Sequence, residues 1–323
     1  MAITPIKAEV VVRTALGLLE RDIVLPGMVW RVAGDQFRGA KNDTVTLRLP
    51  SFATGDRRTL RGARPQDGSD LYTAKDLEET SVDVKLDTDV YRAIKLDDEQ
   101  LTLDIESFGE QVLTPIVKAV ANEAEDVLGD LMSNTSYNTE LILDQSDPFK
   151  TVVAARKALN KANVPAAGRR LVVGADVEEI MLNSDKLVKA NEAGSDSALR
   201  DARIGRLAGV DVFTTNAVAP DEAFLFHETA YAMTIQAPVV PAGAGWGASD
   251  SYAGLAMRVI RDYDYANARD RMLANTYVGV AAVKDQLVED STGRLRPAAV
   301  GEGEDPEPAM FRAVKIVLDA DES

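Results

Sequence analysis

Histidine and cysteine, whose side chains perform much of the nucleophilic and metal chemistry of proteins, are nearly missing from this chain. The sequence holds one histidine, His227, and no cysteine. A Ser-His-Asp triad would therefore have to include His227, and counting excludes any site built from several histidines or from thiolates. His227 lies in the apolar string FLFHETAY, without a GxSxG nucleophile motif. This setting favours a partly buried, hydrogen-bonded histidine over a catalytic one.

Two further patterns resemble ligand sites only superficially. Gly243, Gly245 and Gly247 stand in the string GAGWG. A dinucleotide site needs a strand before such glycines and a helix after them, whereas a loop followed by a strand is expected here. Asp262 and Asp264 resemble the start of a calcium loop, but the glycine and the closing glutamate of that motif are missing. A plain loop and a solvated strand end are the better interpretations.

Adjacent acidic residues are equally weak indicators of an active site. Pairs such as Glu178 with Glu179 and Asp97 with Asp98 are expected in a chain with 52 acidic residues. Adjacency in sequence does not place two carboxyl groups on opposite sides of a substrate. The sequence therefore predicts no catalytic residue, no cofactor and no metal site.

Composition narrows the class of protein. The chain has 323 residues, 46% of them hydrophobic, which suggests two domains or one large domain with excursions, and either can bury a sizeable core. Acidic residues outnumber basic ones by 52 to 36, a formal net charge of −16, so nucleic acid and anionic lipid would repel it. Neither a signal peptide nor an apolar run of about 18 residues occurs. We expect a soluble protein, without a membrane partner, that is made and used in a cytoplasm.

The clearest strand signal in the sequence lies between residues 82 and 90. Apolar residues and threonine alternate there with aspartate and lysine, which is a period of two. A shorter alternating segment covers 45–49. We expect the two segments to pair as a long antiparallel hairpin. Its connection, about residues 51–81, is far longer than an ordinary hairpin turn.

Charge is sorted along this connection, which is basic first and acidic afterwards. One interpretation is a solvated loop with ordinary surface charge. The other is that the basic tip of one subunit lies over an acidic surface of its neighbour, where complementary charge sets register and orientation. The candidate contact residues are Arg57, Arg58, Arg61, Arg64, Asp67, Asp70, Lys75, Glu78 and Glu79.

A long helical pattern covers residues 106–134, where apolar residues recur at steps of three and four. Pro115 lies inside it. Either Thr114 caps a helix that begins at the proline, or the proline kinks a longer helix. A helix of this length predicts a spine for the domain. The strands expected to form a sheet against it lie near residues 101–105, 255–263 and 272–283.

From residue 146 the pattern changes to short helices and strands in alternation. Ser146 or Asp147 would cap a helix that begins at Pro148 and continues to about residue 163. The segments that follow are interpreted as a strand, a helix, a strand and a strand pair bent near His227, which together predict an α+β domain. They cover 169–174, 175–185, 209–218 and 223–236. The remaining predictions are a surface loop at 186–206, a turn-rich segment at 241–251 and a terminal strand at 311–318.

This order of elements resembles the major capsid proteins of tailed double-stranded DNA bacteriophages, the Hong Kong 97 fold. Three strings carry the likeness and are similar to the coat proteins of phages of actinobacteria. They are RIGRLAGVDVFTTNAV at 203–218, AFLFHETAYAMTIQAPVVP at 223–241 and LAMRVIRDYDYANARDRMLANTYVGVAAVKD at 255–285. The likeness covers roughly residues 1–285, and its motifs are structural rather than catalytic.

The resemblance implies an α+β fold divided in the manner of that family. The implied parts are an N-arm with one helix (1–43), an E-loop hairpin (44–92), a peripheral (P) domain with its spine helix 106–134 (93–145 and 252–285), an axial (A) domain (146–251) and a C-terminal extension (286–323). The implied function is a structural one, a subunit of the icosahedral shell that encloses the phage genome.

The resemblance also implies partners. The chain would assemble with itself into hexamers and pentamers, in the cytoplasm of the host bacterium, and would meet a portal and decoration proteins. Because no segment of about one hundred residues precedes the arm, we expect a separate scaffolding protein. Some members cross-link a loop lysine to an asparagine of a neighbour, and Lys75 is a candidate for this by location only.

Two other functions stay open at this point. An encapsulin nanocompartment has the same fold, needs no scaffold and packages an enzyme that carries a cargo peptide. A cytoplasmic α/β enzyme with an unrecognised acid–base pair would instead be a monomer or small oligomer with a deep pocket.

Overall fold

The structure is a computed structural model that describes residues 24–32, 43–48, 60, 81–97, 99, 108–184, 205–252, 255–289, 295–297 and 307–319. Three predicted elements lie wholly or mostly outside these residues: the helix of the N-arm, the strand at 101–105 and the surface loop at 186–206. The described part contains three α-helices, none of which is both long and apolar enough to cross a membrane.

The helices are α1 (Thr114–Asn134), α2 (Pro148–Lys161) and α3 (Ala175–Leu182). The strands are β1 (Trp30–Arg31), β2 (Thr44–Arg48), β3 (Ser81–Lys85), β4 (Thr88–Asp97), β5 (Glu140–Ile142), β6 (Arg169–Val173), β7 (Arg206–Leu207), β8 (Val210–Thr214), β9 (Glu222–His227), β10 (Tyr231–Gln236), β11 (Trp246–Tyr252), β12 (Leu255–Asp264), β13 (Arg269–Ala282), β14 (Leu287–Glu289), β15 (Leu295–Pro297) and β16 (Ala313–Val317).

The spine helix is longer than α1 alone. A π-helical turn, Gly109–Leu113, runs directly into α1. Proline lacks an N–H, so the regular backbone bond cannot form at Pro115, and the preceding turn is widened. The Thr114 hydroxyl donates to the Gly109 carbonyl oxygen at 2.9 Å instead of capping a new helix. Of the two alternatives, the longer helix with an internal proline is therefore correct.

The first of two six-stranded sheets is built around β13. β12 pairs with the first half of β13 and β10 with its second half, both antiparallel, while β4 pairs along Arg269–Val278. β11 and β1 extend the sheet beyond β12 and β10. Helix α1 packs on one face of this sheet, as its apolar stripe predicts. The predicted strands at 255–263 and 272–283 are thus confirmed as neighbours in one sheet.

The second six-stranded sheet has the order β5-β16-β9-β6-β8-β7 and mixes parallel with antiparallel pairs. Side chains of α2 and α3 form a core with one of its faces. Its other face contributes to the core that contains α1. Helix α2 begins at Pro148 after Asp147, as predicted, although Asp144 accepts the hydrogen bonds from Ser146 N and Asp147 N there.

Four predictions about strands are corrected by the pairing. The alternating run 82–90 is two strands, because β3 pairs with β2 whereas β4 pairs with β13 in another sheet. The segment 223–236 is not a strand pair, since β9 and β10 lie in different sheets. Half of the turn-rich segment 241–251 is the strand β11. A period of two reports the side-chain alternation of a strand but not its partner.

The fourth correction concerns the C-terminal segment. The predicted terminal strand is confirmed as β16, but it does not extend away from the body. It lies inside the second sheet between β5 and β9, and its Val314 and Ile316 side chains are buried. The last strand of the chain is therefore part of the core, and the interpretation of 286–323 as an extension does not hold for this strand.

Candidate functional site

All nine candidate contact residues of the hairpin connection, Arg57 through Glu79, lie outside the described residues. The structure does describe Leu60, in the midst of the arginines, and the root of the hairpin. The candidate site therefore consists of three described features: the hairpin root, the cleft beside it and the attachment of the N-terminal segment.

The hairpin root is fixed to the body by a small apolar core and a close backbone contact. β2 and β3 pair from Thr44 with Lys85 to Arg48 with Ser81, which confirms the predicted hairpin. Val84 is buried with Val32 and with Ala232 of β10. A Cβ at Gly279 would lie 2.4 Å from the carbonyl oxygen of Lys85, so glycine is required where the hairpin crosses β13. The root is therefore held rigidly on the first sheet.

A cleft of about 450 Å³ opens beside this root. Asp43, Asp87 and Asp89 line it, together with Val239 and Tyr277, and no described lining residue is basic. Val239 is 78% exposed and Tyr277 is 39% exposed. We call this feature the acidic cleft. Asp87 and Asp89 belong to the alternating segment 82–90 noticed in the sequence. The approach of Val239 and Tyr277 depends instead on the pairing of β13 with β4 and β10.

Glu125 of α1 holds the first described residues of the chain. Its Oε1 atom accepts hydrogen bonds from Val24 N at 3.0 Å and Leu25 N at 2.7 Å. Thr215 lies 3.5 Å from the same oxygen. The residue is only 6% exposed, and burial raises the pKa of its carboxyl against the lowering effect of these hydrogen bonds. The carboxylate thereby fixes the point at which the N-terminal segment meets the spine helix.

Sequence reasoning missed Glu125, although the sequence contained a signal. Position 125 follows Ala121 by four residues and precedes Leu128 by three, so it lies within the buried stripe of the helix. A charged residue in an apolar stripe needs a partner when it is buried. The partner is backbone from a segment about one hundred residues away, and no local pattern identifies it.

A polar network joins the two sheets next to His227. Arg312, just before β16, donates through Nε and Nη2 to both carboxylate oxygens of Asp285, at 2.7 and 2.6 Å. Its Nη1 donates to Thr229 Oγ1 at 3.0 Å, and that hydroxyl lies 2.9 Å from His227 Nδ1. Burial lowers the pKa of His227. The hydrogen-bonded, buried histidine predicted from sequence is confirmed, and it helps to fix the junction between the sheets.

The other patterns considered for chemistry have structural roles. Asp264 closes the β12–β13 turn by accepting from Ala266 N and Asn267 Nδ2. Asp262 pairs with Arg271 at 2.7 Å on the neighbouring strand. β11 begins at Trp246, so the end of GAGWG is itself part of a strand and not the plain loop predicted, and no helix opens at its last glycine. Within the part of the chain that the structure describes, no three acidic, histidine or cysteine side chains are grouped to hold a metal ion.

Comparison with known proteins gives the fold but no sequence family. No protein-family model and no curated protein sequence matches the chain. A structure from Mycobacterium phage Che8 is similar over 91% of this chain and 90% of its own, with 19% identity and a TM-score of 0.63. The capsid of the cyanophage P-SCSP1u is similar over 99% and 91%, with 9% identity and a TM-score of 0.59.

A third similar structure is a virus-like particle from Pyrococcus furiosus, with 9% identity, coverage of 94% of this chain and 97% of its own, and a TM-score of 0.52. The chain thus has the α+β, Hong Kong 97-like fold of phage capsid proteins, which confirms the fold predicted from sequence. The likeness extends over nearly the whole of both chains in each comparison.

Proposed function

We propose that this chain is a major capsid protein, a structural and non-enzymatic subunit that assembles with itself into the icosahedral shell around the double-stranded DNA of a tailed phage. The observation that carries the proposal is a capsid fold shared over nearly the whole chain at once. A likeness confined to one sheet would fit many functions, because folds are reused. Here the hairpin, spine helix and both sheets fall within the matched length.

The way in which the hairpin and the N-terminal segment are attached to the body supports this function. A shell subunit must contact several neighbours, and a compact globule offers limited area to each of them. The hairpin root is seated on the first sheet at Gly279, and the N-terminal segment is tied to α1 by Glu125. Extensions that leave a stiff body at fixed points can bury area on neighbours with a defined geometry.

We propose that the charged residues of the hairpin connection form ion pairs between subunits. Arg57, Arg58, Arg61 and Arg64 of one subunit meet acidic residues of the next, for which Asp67, Asp70, Glu78 and Glu79 are candidates in the connection itself. Lys75 is the proposed lysine if the shell is covalently cross-linked. Reversing the four arginine charges should block assembly while the monomer stays folded; normal particles from that variant would contradict the proposed charge contact.

The net charge of −16 fits a container for DNA. Like charge repels the packaged phosphates, so the genome is enclosed without tight or sequence-specific binding. Assembly is proposed to take place in the host cytoplasm with a separate scaffolding protein, and the finished virion capsid to include a portal and decoration proteins. These partners are proposed from the fold and not from contacts in this chain.

An encapsulin-type shell is the second candidate, and the virus-like particle from Pyrococcus furiosus is the observation that favours it. Gene neighbourhood separates the two proposals. Portal, terminase and scaffold genes beside the coding sequence support the phage capsid, whereas an adjacent enzyme with a cargo peptide supports the nanocompartment.

Expression of the full chain, alone and with the neighbouring candidate scaffolding protein, tests the proposal. Light scattering and electron microscopy should show closed particles of uniform diameter. A monomer or small oligomer under both conditions would contradict any shell function and would restore the enzyme alternative. Uniform particles that form alone and contain an enzyme from the host cell would favour the nanocompartment.

A further inference from the structure

The acidic cleft and the hairpin connection are chemically complementary. The cleft presents the carboxylates of Asp43, Asp87 and Asp89 beside the exposed side chains of Val239 and Tyr277. It therefore offers negative charge and apolar surface at the same place. A fitting occupant would carry cations on either side of an aliphatic group.

The connection has this composition around Leu60. The string DRRTLRGAR covers residues 56–64 and places Arg58 and Arg61 on either side of Leu60. Leu60 is 94% exposed, and a large apolar side chain that is nearly fully exposed gains free energy when a partner covers it. Arg57 and Arg64 add further positive charge, against one acidic residue, Asp56.

We propose that the acidic cleft is the docking site for the Leu60 segment of a neighbouring copy of this chain. The inference rests on the proposed function and specifies the acidic surface that the arginines meet. Leu60 packs on Val239, and arginines on its two sides pair with the cleft carboxylates. Guanidinium groups form charge-assisted bonds with carboxylates and also bind the faces of aromatic rings such as that of Tyr277.

The direction of the hairpin favours a second copy over the same chain. Asp43 and Asp87 lie at the root of the hairpin, next to the Thr44–Lys85 end of the β2–β3 ladder. The connection leaves from the opposite end, at Arg48 and Ser81. The five paired residues span four steps, which separates the two ends by about 13 Å at the usual rise per strand residue. The connection is thus attached at the end of the ladder that lies farther from the cleft of its own subunit, which favours a neighbouring copy as the source of the docked segment.

Disulfide trapping tests this contact without background, because the natural chain has no cysteine. Differently tagged Leu60→Cys and Val239→Cys chains are assembled together, with the scaffolding protein where it is needed, and then oxidised. We expect a covalent dimer that carries both tags. Val288→Cys, which is also exposed but lies outside the cleft, replaces Val239→Cys in the matched control and should give little dimer.

Charge neutralisation tests the same contact with a different measurement. The variant Asp43→Asn, Asp87→Asn, Asp89→Asn keeps side-chain shape, and asparagine tolerates the positive φ of 53° at position 43. Exposed ion pairs are individually weak but recur at every contact, so we expect about a tenfold rise in the subunit concentration needed for assembly. The control variant Glu140→Gln, Asp176→Asn, Glu179→Gln removes the same charge elsewhere and should assemble normally.

The outcomes separate this inference from the proposed function. If the unaltered chain forms no shells, the proposed function and the docking inference both fail. If shells form but Leu60→Cys and Val239→Cys chains give no mixed dimer, only the docking inference is overturned. The same holds if Val239→Cys is trapped instead by a cysteine placed in the N-terminal arm, as in Lys7→Cys. It also holds if a chain that carries both Leu60→Cys and Val239→Cys cross-links only within itself.

Discussion

The two six-stranded sheets differ in how many of their faces are covered. In the second sheet, successive residues point into different cores. Leu171 and Val173 pack with α2 and α3, while Val172 between them packs with α1. All of them are fully buried. A strand covered on both faces is apolar at every position, as in the strings LVV and AFLF.

The first sheet is covered by α1 on one face and is more open on the other. Along β12, the buried residues Leu255, Met257 and Val259 alternate with partly exposed ones. The strand registers align Arg258, Asn275 and Tyr91 in one row of the outward face. Arg258 Nε donates to Asn275 Oδ1 at 3.0 Å, so the row is polar and hydrogen-bonded across strands.

The two sheets therefore differ in role: the second stabilises the core, and the first leaves an outward face open to contact. The central strands β6 and β9 of the doubly covered sheet are buried on both faces, and this sheet contributes mainly the internal core. The singly covered sheet presents an outward face whose Asp89 and Tyr277 also line the acidic cleft. Under the proposed docking, a neighbouring subunit would contact the first sheet without any rearrangement of the core.

Truncation in the doubly covered sheet should give the largest loss of stability. Phe224 is fully buried, and its ring centroid lies 5.9 Å from that of Tyr137. We expect Phe224→Ala to lower the free energy of unfolding by about 3–5 kcal/mol, through lost burial and the cavity that remains. Denaturant unfolding of the unassembled chain measures this, with Phe224→Leu as a milder control. A loss below about 1 kcal/mol would contradict tight packing on both faces.

The junction of the spine helix with the loop before β9 should be nearly as sensitive. A Cβ at Gly129 of α1 would lie 1.7 Å from the carbonyl oxygen of Ala217. Alanine is intrinsically the better helix former by about 1 kcal/mol, but the backbone must move to admit it. We expect Gly129→Ala to destabilise by about 3 kcal/mol. Gly109→Ala is the matched control and should cost little, because no atom outside its chain neighbours and its own helix backbone lies within 4 Å of the new Cβ.

Glu125 lies on the helix between the two sheets and should show a smaller effect that depends on pH. Glu125→Ala leaves the buried N–H of Leu25 without its acceptor, at a cost of about 2 kcal/mol. Glu125→Gln keeps an oxygen acceptor and should cost much less. If the two variants lose equal stability, the hydrogen bonds to the N-terminal segment do not explain the role of this residue.

The pH dependence follows from the raised pKa of Glu125. The folded state holds the proton more strongly than the unfolded state, whose ordinary value is 4.5. Stability from this group is therefore greatest below that value and declines as pH rises through the raised pKa. Thermal melts at several pH values should show this decline in the natural chain relative to Glu125→Gln. A constant difference would contradict the shift.

The open face should tolerate substitution. Tyr91 is 65% exposed on the outward face of β4, so we expect Tyr91→Ser to change the free energy of unfolding by less than about 0.5 kcal/mol. The same denaturant unfolding used for Phe224→Ala gives a direct comparison. A loss close to that of Phe224→Ala would show that the outward face is covered within the monomer.

Much of the architecture could be predicted from local pattern. The stripe of apolar residues gave the spine helix to its last residue at 134, and turn residues located α2 after Pro148. Alternation located the hairpin, and the apolar string around His227 indicated its buried, hydrogen-bonded side chain. These features depend on the 3.6-residue and two-residue periods of helices and strands, which neighbouring residues determine by themselves.

Which distant segments pair or contact each other was decided only by the tertiary structure. The run 82–90 is divided between two sheets, β16 enters the second sheet, and Glu125 binds backbone about one hundred residues away. The acidic cleft likewise combines residues from four separate stretches of the chain. Local periodicity fixes which face of a segment is buried, but the choice of partner depends on packing and hydrogen bonds summed over the whole fold, and no short stretch of sequence contains that sum.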